Sequence, residues 1–164
     1  MNRYNICILG CGWLGKPLAE HFIKNGRKVN GTTTTPTKIA SLNEVKINSF
    51  IIDINNRNND FKNFLNAKIL VISIPSKIIE DFEYLISEIE KSTIKKTIFI
   101  SSTSVYPLNN SITTEDSPIQ KNALSQIEQL FRVNTNFKTT IIRFGGLIGY
   151  DRKPGRFFKK KNYY

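Results

Sequence analysis

Gly10-Cys11-Gly12-Trp13-Leu14-Gly15 is the stretch on which the fold of this chain turns. Just before it stands Asn5-Ile6-Cys7-Ile8-Leu9, a short apolar run of the kind buried on both faces of a parallel sheet. Just after it, Leu14, Leu18, Ala19, Phe22 and Ile23 recur at helical spacing, and Asn25-Gly26 closes the pattern as a helix stop. Between strand and helix each glycine has its own duty. Gly10 permits a tight turn, Gly12 lets the backbone approach a pyrophosphate, and Gly15 lets the helix lie close to the strand. The unpaired N–H groups of the first helical turn and the helix dipole then favour an anion. Three glycines alone are a weak signal, and the flanking strand and helix separate a dinucleotide turn from a structural one. Gly10, Gly12, Trp13, Leu14 and Gly15 are the expected cofactor-binding turn.

Downstream, apolar runs continue to alternate with helical patterns. Residues 28–33, 50–54, 68–74, 97–101 and 139–144 read as further strands. Within 79–90, Phe82, Leu85, Ile86 and Ile89 mark one face of a helix. The polar, asparagine-rich residues 55–63 read as a loop or a short surface helix. Parallel strands need crossover connections, so this alternation predicts a doubly wound α/β fold with a parallel sheet covered on both faces. Ligand is then expected at the carboxyl ends of the strands. Residues 1–150 form that domain in this reading, and 151–164 a basic tail. There is no internal repeat.

The choice of dinucleotide rests on the end of the second strand. An acid there would bond a ribose 2′-hydroxyl. This chain has Gly31-Thr32-Thr33-Thr34-Thr35 instead, with Lys38 just beyond. Hydroxyls and a cation suit a 2′-phosphate and no carboxylate repels it, which favours NADP over NAD. Thr32, Thr33 and Thr34 are the expected contacts, unless they only cap a helix ahead of Pro36.

Composition narrows the alternatives. With 164 residues, 40% of them hydrophobic, the chain can bury a core. No apolar run approaches the roughly 20 residues that span a bilayer, and Met1-Asn2-Arg3-Tyr4 lacks signal-peptide character, so a cytoplasmic, non-membrane protein is expected. Cys7 and Cys11 have neither disulfide nor metal-ligand spacing, and His21 lies off the apolar face of its helix, which leaves no zinc site in this reading. A net charge of +11 raises the question of nucleic acid. Six of the basic residues, however, fall in the last fourteen positions, and the others are scattered, which argues against a nucleic-acid surface on the main domain.

A second informative stretch is Ile100-Ser101-Ser102-Thr103-Ser104-Val105-Tyr106-Pro107. It follows the fifth strand, so its hydroxyls belong at the ligand edge, where they can bond a substrate carbonyl or alcohol; a serine-rich turn would have the same composition. Taken with the glycine turn, Asp53 after the third strand, and Arg143-Phe144-Gly145-Gly146-Leu147-Ile148-Gly149, it gives an ordered set running over nearly the whole chain. That set resembles the extended short-chain dehydrogenase/reductase superfamily, and within it the atypical NAD-dependent epimerase/dehydratase-like members. The resemblance implies that Asp53, with Ile54 beside it, approaches the adenine and that Ser102 is the catalytic, substrate-orienting hydroxyl. It implies hydride transfer to or from a carbonyl or a sugar-nucleotide alcohol, with a small-molecule substrate as the other partner.

Two departures stand out. The family's catalytic tyrosine and lysine, four apart on a helix, are expected some 20 to 25 residues after the serines. Residues 118–128 contain no tyrosine, and alignment on Glu128 puts Gln120 and Leu124 in those places, with Lys121 about 100° around the helix. The family also continues past Gly149 into a substrate region, whereas this sequence reaches only Tyr164, which suggests C-terminal truncation. A break there would leave Phe157, Phe158, Tyr163 and Tyr164 uncovered and favour self-association. Three readings therefore stay open: an NAD(P)-dependent oxidoreductase; a non-catalytic dinucleotide sensor or degenerate fragment; and a nucleic-acid binder acting through the basic tail.

Overall fold

In the computed structural model, residues 5–109, 111–149, 151–153 and 155 are described. Phe157, Phe158, Tyr163, Tyr164 and the basic residues Arg156, Lys159, Lys160 and Lys161 lie outside them. Six parallel strands form one sheet: β1 (Ile6–Leu9), β2 (Val29–Thr33), β3 (Asn48–Ile51), β4 (Ile69–Ile72), β5 (Lys96–Ser102) and β6 (Lys138–Phe144). Their order is β3-β2-β1-β4-β5-β6, the doubly wound arrangement expected of the alternation. The order reverses between β1 and β4, and such a switch point opens a crevice at the strands' carboxyl ends. Among the described residues no helix is long and apolar enough to cross a membrane.

β1 is apolar throughout because both its faces are covered. Ile6 and Ile8 point to the side of α1 (Gly15–Lys24) and α2 (Ile39–Glu44), packing with Ala19, Val29, Leu42 and Ile47. Cys7 and Leu9 point to the other side, where α3 (Phe61–Phe64), α4 (Ile79–Glu90) and α5 (Ala123–Val133) lie. Aromatic rings dominate that second core. Phe99 of β5 and Phe131 of α5 stack at 5.0 Å, and Phe82 of α4 meets both edge-on.

Both thiols are buried and unpaired. Desolvation pushes Cys7 up to about 12 and Cys11 up to about 11. At pH 8 the folded protein is expected to resist alkylation by iodoacetamide, whereas urea-unfolded chains react at both cysteines. The same shifts act on stability. Above pH ~9 the unfolded thiols lose protons that the folded ones keep, so stability is full below that pH and falls as pH rises towards 11–12. Rapid labelling of the folded protein at pH 8 would contradict the burial.

Several boundaries differ from the sequence reading. β3 ends at Ile51, not at residue 54, because its partner β2 ends at Thr33; Ile52 N–H makes a last bond to the Thr33 carbonyl at 3.2 Å. Ile52 and Ile54 are nonetheless buried, which accounts for their apolar character. The asparagine-rich stretch is a loop leading into α3, but that helix is not a surface one: Phe61 and Phe64 both enter the core. The short α2 escaped notice because six residues with Leu42 as their one buried side chain carry almost no periodicity.

The largest correction concerns α5. Asn122 caps it by accepting the Ser125 N–H at 2.9 Å, while Ser125 Oγ accepts the Asn122 N–H at 3.0 Å. The helix therefore starts at Ala123. Gln120 and Lys121 precede it, and Gln120 is tied to the Val105 and Ser104 carbonyls. Gln120 and Leu124 are thus not a pair on one helix face, and the angular argument about Lys121 does not apply.

Candidate dinucleotide site

The turn after β1 is fastened from beside it. Thr32 of β2 is buried, its Oγ1 accepts the Gly10 N–H at 2.8 Å, and its carbonyl accepts the Cys11 N–H at 2.7 Å. Gly10 has φ +96, and a Cβ on it would meet the Ser73 carbonyl oxygen at 2.5 Å. A Cβ on Gly15 would overlap the Gly10 carbonyl oxygen. Gly12 differs from both: it is exposed, and a Cβ there would meet nothing within 4 Å. Two glycines serve close packing and the middle one borders open space. No side chain caps α1, and the first helical bond runs from Lys16 N–H to the Gly12 carbonyl at 3.1 Å. The start of this helix is left for a ligand or water.

Beside the turn lies a cavity of about 490 Å³, lined from the carboxyl ends of four strands. Gly10 and Gly12 form one wall, and Thr33, Thr34 and Lys38 another. Asp53, Ile54 and Asn55 close the far side, and residues 73–76 after β4 complete it. The sequence-derived residues from three separate segments are therefore brought together. Thr32 is also in the lining, but its hydroxyl is engaged by the turn, so its part is to position Gly10. Thr33 Oγ1 accepts the Thr35 N–H at 3.1 Å, and Thr34 and Lys38 are exposed. Asp53 Oδ1 accepts the Asn55 N–H at 3.1 Å, and Asn59 bonds the Asp53 backbone, so the loop after β3 is pinned at the cavity wall.

Trp13, Leu14 and Gly15 do not line that cavity. Gly15 is buried under the turn, and Trp13 turns towards the far end of the chain, donating from Nε1 to Asp151 Oδ1 at 2.9 Å. Ser73-Ile74-Pro75-Ser76 was missed at the sequence level. The rule that singled out Ser101 to Ser104, hydroxyls following a strand, would have found it.

Ser102 lines a second, wider cavity of about 1490 Å³ beyond the ends of β5 and β6. Its Oγ accepts the Ser104 N–H at 3.1 Å, capping a short 3-10 turn, Thr103–Val105. Beneath it runs a buried polar network. Ser101 Oγ donates to Glu128 Oε1 at 2.5 Å, and Glu128 grips Arg143 through Nε at 3.0 Å and Nη2 at 2.6 Å. Arg143 Nη1 donates to Tyr106 Oη at 2.7 Å. Glu128 and Tyr106 together hold the guanidinium above its ordinary range, against the opposing effect of burial. Sequence pattern gave no sign of this network, because its members come from four segments: β5, the residue after the 3-10 turn, α5 and β6.

A doubly wound sheet with a glycine turn at its switch point defines a Rossmann-type nucleotide-binding protein. Residues 5–104 match the family model described as NADP oxidoreductase, coenzyme F420-dependent, and the chain belongs to that family. It is 28% identical to Protein YeeZ of Escherichia coli strain K12 over 95% of its own length, and it spans 63% of that relative. Solved structures share the fold. A protein of Methylobacillus flagellatus, provisionally designated an NAD-dependent epimerase/dehydratase, superposes with a TM-score of 0.76 at 24% identity, over 92% of this chain and 57% of that one. UDP-glucuronic acid 4-epimerase of Bacillus cereus, in complex with NAD, gives 0.73 at 21% identity, over 92% and 58%. The resemblance to epimerase/dehydratase and short-chain dehydrogenase/reductase proteins thus holds in the fold.

Proposed function

We propose that this chain binds a nicotinamide dinucleotide at the carboxyl edge of its sheet, NADP in preference to NAD, as the cofactor-binding part of an oxidoreductase. The observation that carries this reading is the glycine turn with open space at Gly12, set beside a cavity whose walls hold Thr34, Lys38 and Asp53. The turn from Gly10 to Gly15 would hold the pyrophosphate. Thr33, Thr34 and Lys38 would hold the adenosine ribose or its 2′-phosphate, and Asp53 and Ile54 the adenine. When bound, the dinucleotide supplies hydride transfer, and the protein supplies orientation and electrostatics. Ser102 would orient the substrate hydroxyl or carbonyl in the second cavity, which suits a sugar nucleotide or another carbonyl compound. Residues 1–150 would form the binding domain, with residues from 151 opening a substrate region.

Titration calorimetry with NADPH and NADH tests the cofactor assignment. Thr34→Asp, on the exposed cavity wall, is expected to reverse the preference towards NADH by at least ~10-fold, about 1.4 kcal/mol. The new carboxylate would accept the 2′-hydroxyl and repel a 2′-phosphate. An unchanged preference ratio would place ribose recognition elsewhere.

A second reading, dinucleotide binding without turnover, is favoured by a specific observation. Residues 118–128 hold no tyrosine, and α5 carries neither a tyrosine nor a lysine to move a proton. Bound NADPH that is not oxidised in the presence of UDP-glucose or simple carbonyls would support it, and steady turnover would exclude it.

A further inference from the structure

The chain's single tryptophan sits inside the glycine turn and is held by Asp151 and Arg152, 138 and 139 positions further on. We infer that Arg152 is a phosphate-binding residue of the dinucleotide site, held at the mouth of the turn by stacking on Trp13. This rests on the dinucleotide reading proposed above.

Topology first shows why the end of the described chain can reach the turn. β6 stands three strands from β1, so the path from Phe144 to Trp13 crosses roughly 14 Å of sheet edge, at about 4.7–4.9 Å per strand. Gly145 and Gly146, just after β6, line the second cavity at that edge, and Gly149, Asp151 and Arg152 lie against Trp13. At its end the segment folds on itself: Gly149 and Arg152 exchange backbone bonds of 3.1 and 2.7 Å. This small turn packs on the indole, since a Cβ at Gly149 would sit 3.6 Å from Trp13 Cη2.

Three observations then single out Arg152. Its guanidinium carbon lies 4.3 Å from the centre of the Trp13 ring, a cation–π contact that fixes one face of the group and leaves its N–H edges free. Among the described residues Arg152 makes no ion pair, and the neighbouring Asp151 accepts the indole N–H at 2.9 Å. The backbone next to Trp13 is Gly12, with open space where a Cβ would be. A guanidinium offers planar paired donors that match phosphate oxygens, so one fixed by stacking beside a phosphate turn fits a diphosphate. Trp13 is then a positioning residue for Arg152 rather than a ligand itself, which agrees with its absence from the cavity wall.

The test is calorimetry of NADPH binding to the wild type, Arg152→Ala and Arg152→Lys at low and high salt, with urea midpoints measured alongside. Arg152→Ala is expected to weaken binding about 10-fold at low salt and less at high salt, without moving the midpoint. Arg152→Lys should restore most of the loss, because the charge remains. Unchanged affinity in Arg152→Ala would overturn the assignment. So would a loss of equal size at both salt concentrations, which would indicate packing rather than charge. If Arg152→Ala is silent while Gly12→Val abolishes binding, the dinucleotide reading stands and Arg152 falls. A wild type that binds no NADPH overturns both.

Discussion

Gly12→Val is expected to reduce dinucleotide affinity by at least ~10-fold, about 1.4 kcal/mol, while leaving the fold intact. The structure separates this glycine from its neighbours. A Cβ at Gly12 would meet nothing within 4 Å beyond its chain neighbours, and among the described residues Gly12 is not one of the glycines with positive φ. Valine should therefore be accommodated in the free protein and project into the space assigned to the pyrophosphate. Gly15→Ala provides the contrast. Its methyl group would overlap the Gly10 carbonyl oxygen, and backbone cannot swing aside as a flexible side chain can. That variant is expected to lose stability as well as binding. Calorimetry with NADPH, alongside far-ultraviolet circular dichroism, distinguishes the two. Equal binding by wild type and Gly12→Val would remove the glycine turn from the site.

Glu128→Ala should cost about 3–5 kcal/mol of stability, the range for removing one partner of a buried ion pair. The Glu128 side chain is 1% exposed and that of Arg143 14%. Once the carboxylate is gone, Arg143 retains its charge, because a guanidinium does not deprotonate in the accessible pH range. Ser101 loses its acceptor in the same step. Replacing both partners, as in Glu128→Leu with Arg143→Met, should recover part of the loss, since no charge is then left stranded. The urea midpoint of each variant is the measurement. A loss under about 1 kcal/mol for Glu128→Ala would mean that water solvates Arg143 in place of the carboxylate. Tyr106 and Ser102 line the cavity above this network, so its loss should also loosen the region proposed for substrate.

Much of the architecture was legible in the sequence because its signals are local. An apolar run closed by Gly10, a stripe from Leu14 to Ile23 and a stop at Asn25-Gly26 define one strand and one helix within thirty residues. The observed β1 and α1 follow that reading to within a residue or two. Repetition of the unit then fixes a parallel sheet, since parallel neighbours cannot be joined by a tight turn. Gly10, Gly12, Thr33, Thr34 and Asp53 on the cavity wall were legible because they lie at or just past strand ends, which share one edge in a parallel sheet, whereas Ser73 to Ser76 were overlooked although they follow a strand in the same way.

What the sequence by itself determined is therefore the layered α/β fold, the glycine turn, and the edge of the sheet at which the strand ends gather. Only the tertiary structure decided what each residue does there. Thr32 and Thr34 look alike in a run of threonines, yet Thr32 lies inside β2 with its hydroxyl against the Gly10 N–H, while Thr34 falls just past the strand's end at Thr33 and is exposed. Gly12 and Gly15 look alike in the motif, yet only Gly15 has a backbone oxygen where a Cβ would go. Where α5 begins depended on the reciprocal cap between Asn122 and Ser125, and that start removed the expected helical pairing of Gln120 with Leu124. The Glu128–Arg143–Tyr106 network and the stacking of Arg152 on Trp13 join residues 15 to 139 positions apart. No periodicity in the chain can encode such contacts, because they arise when separate elements are folded against one another and their polar groups must find partners away from water.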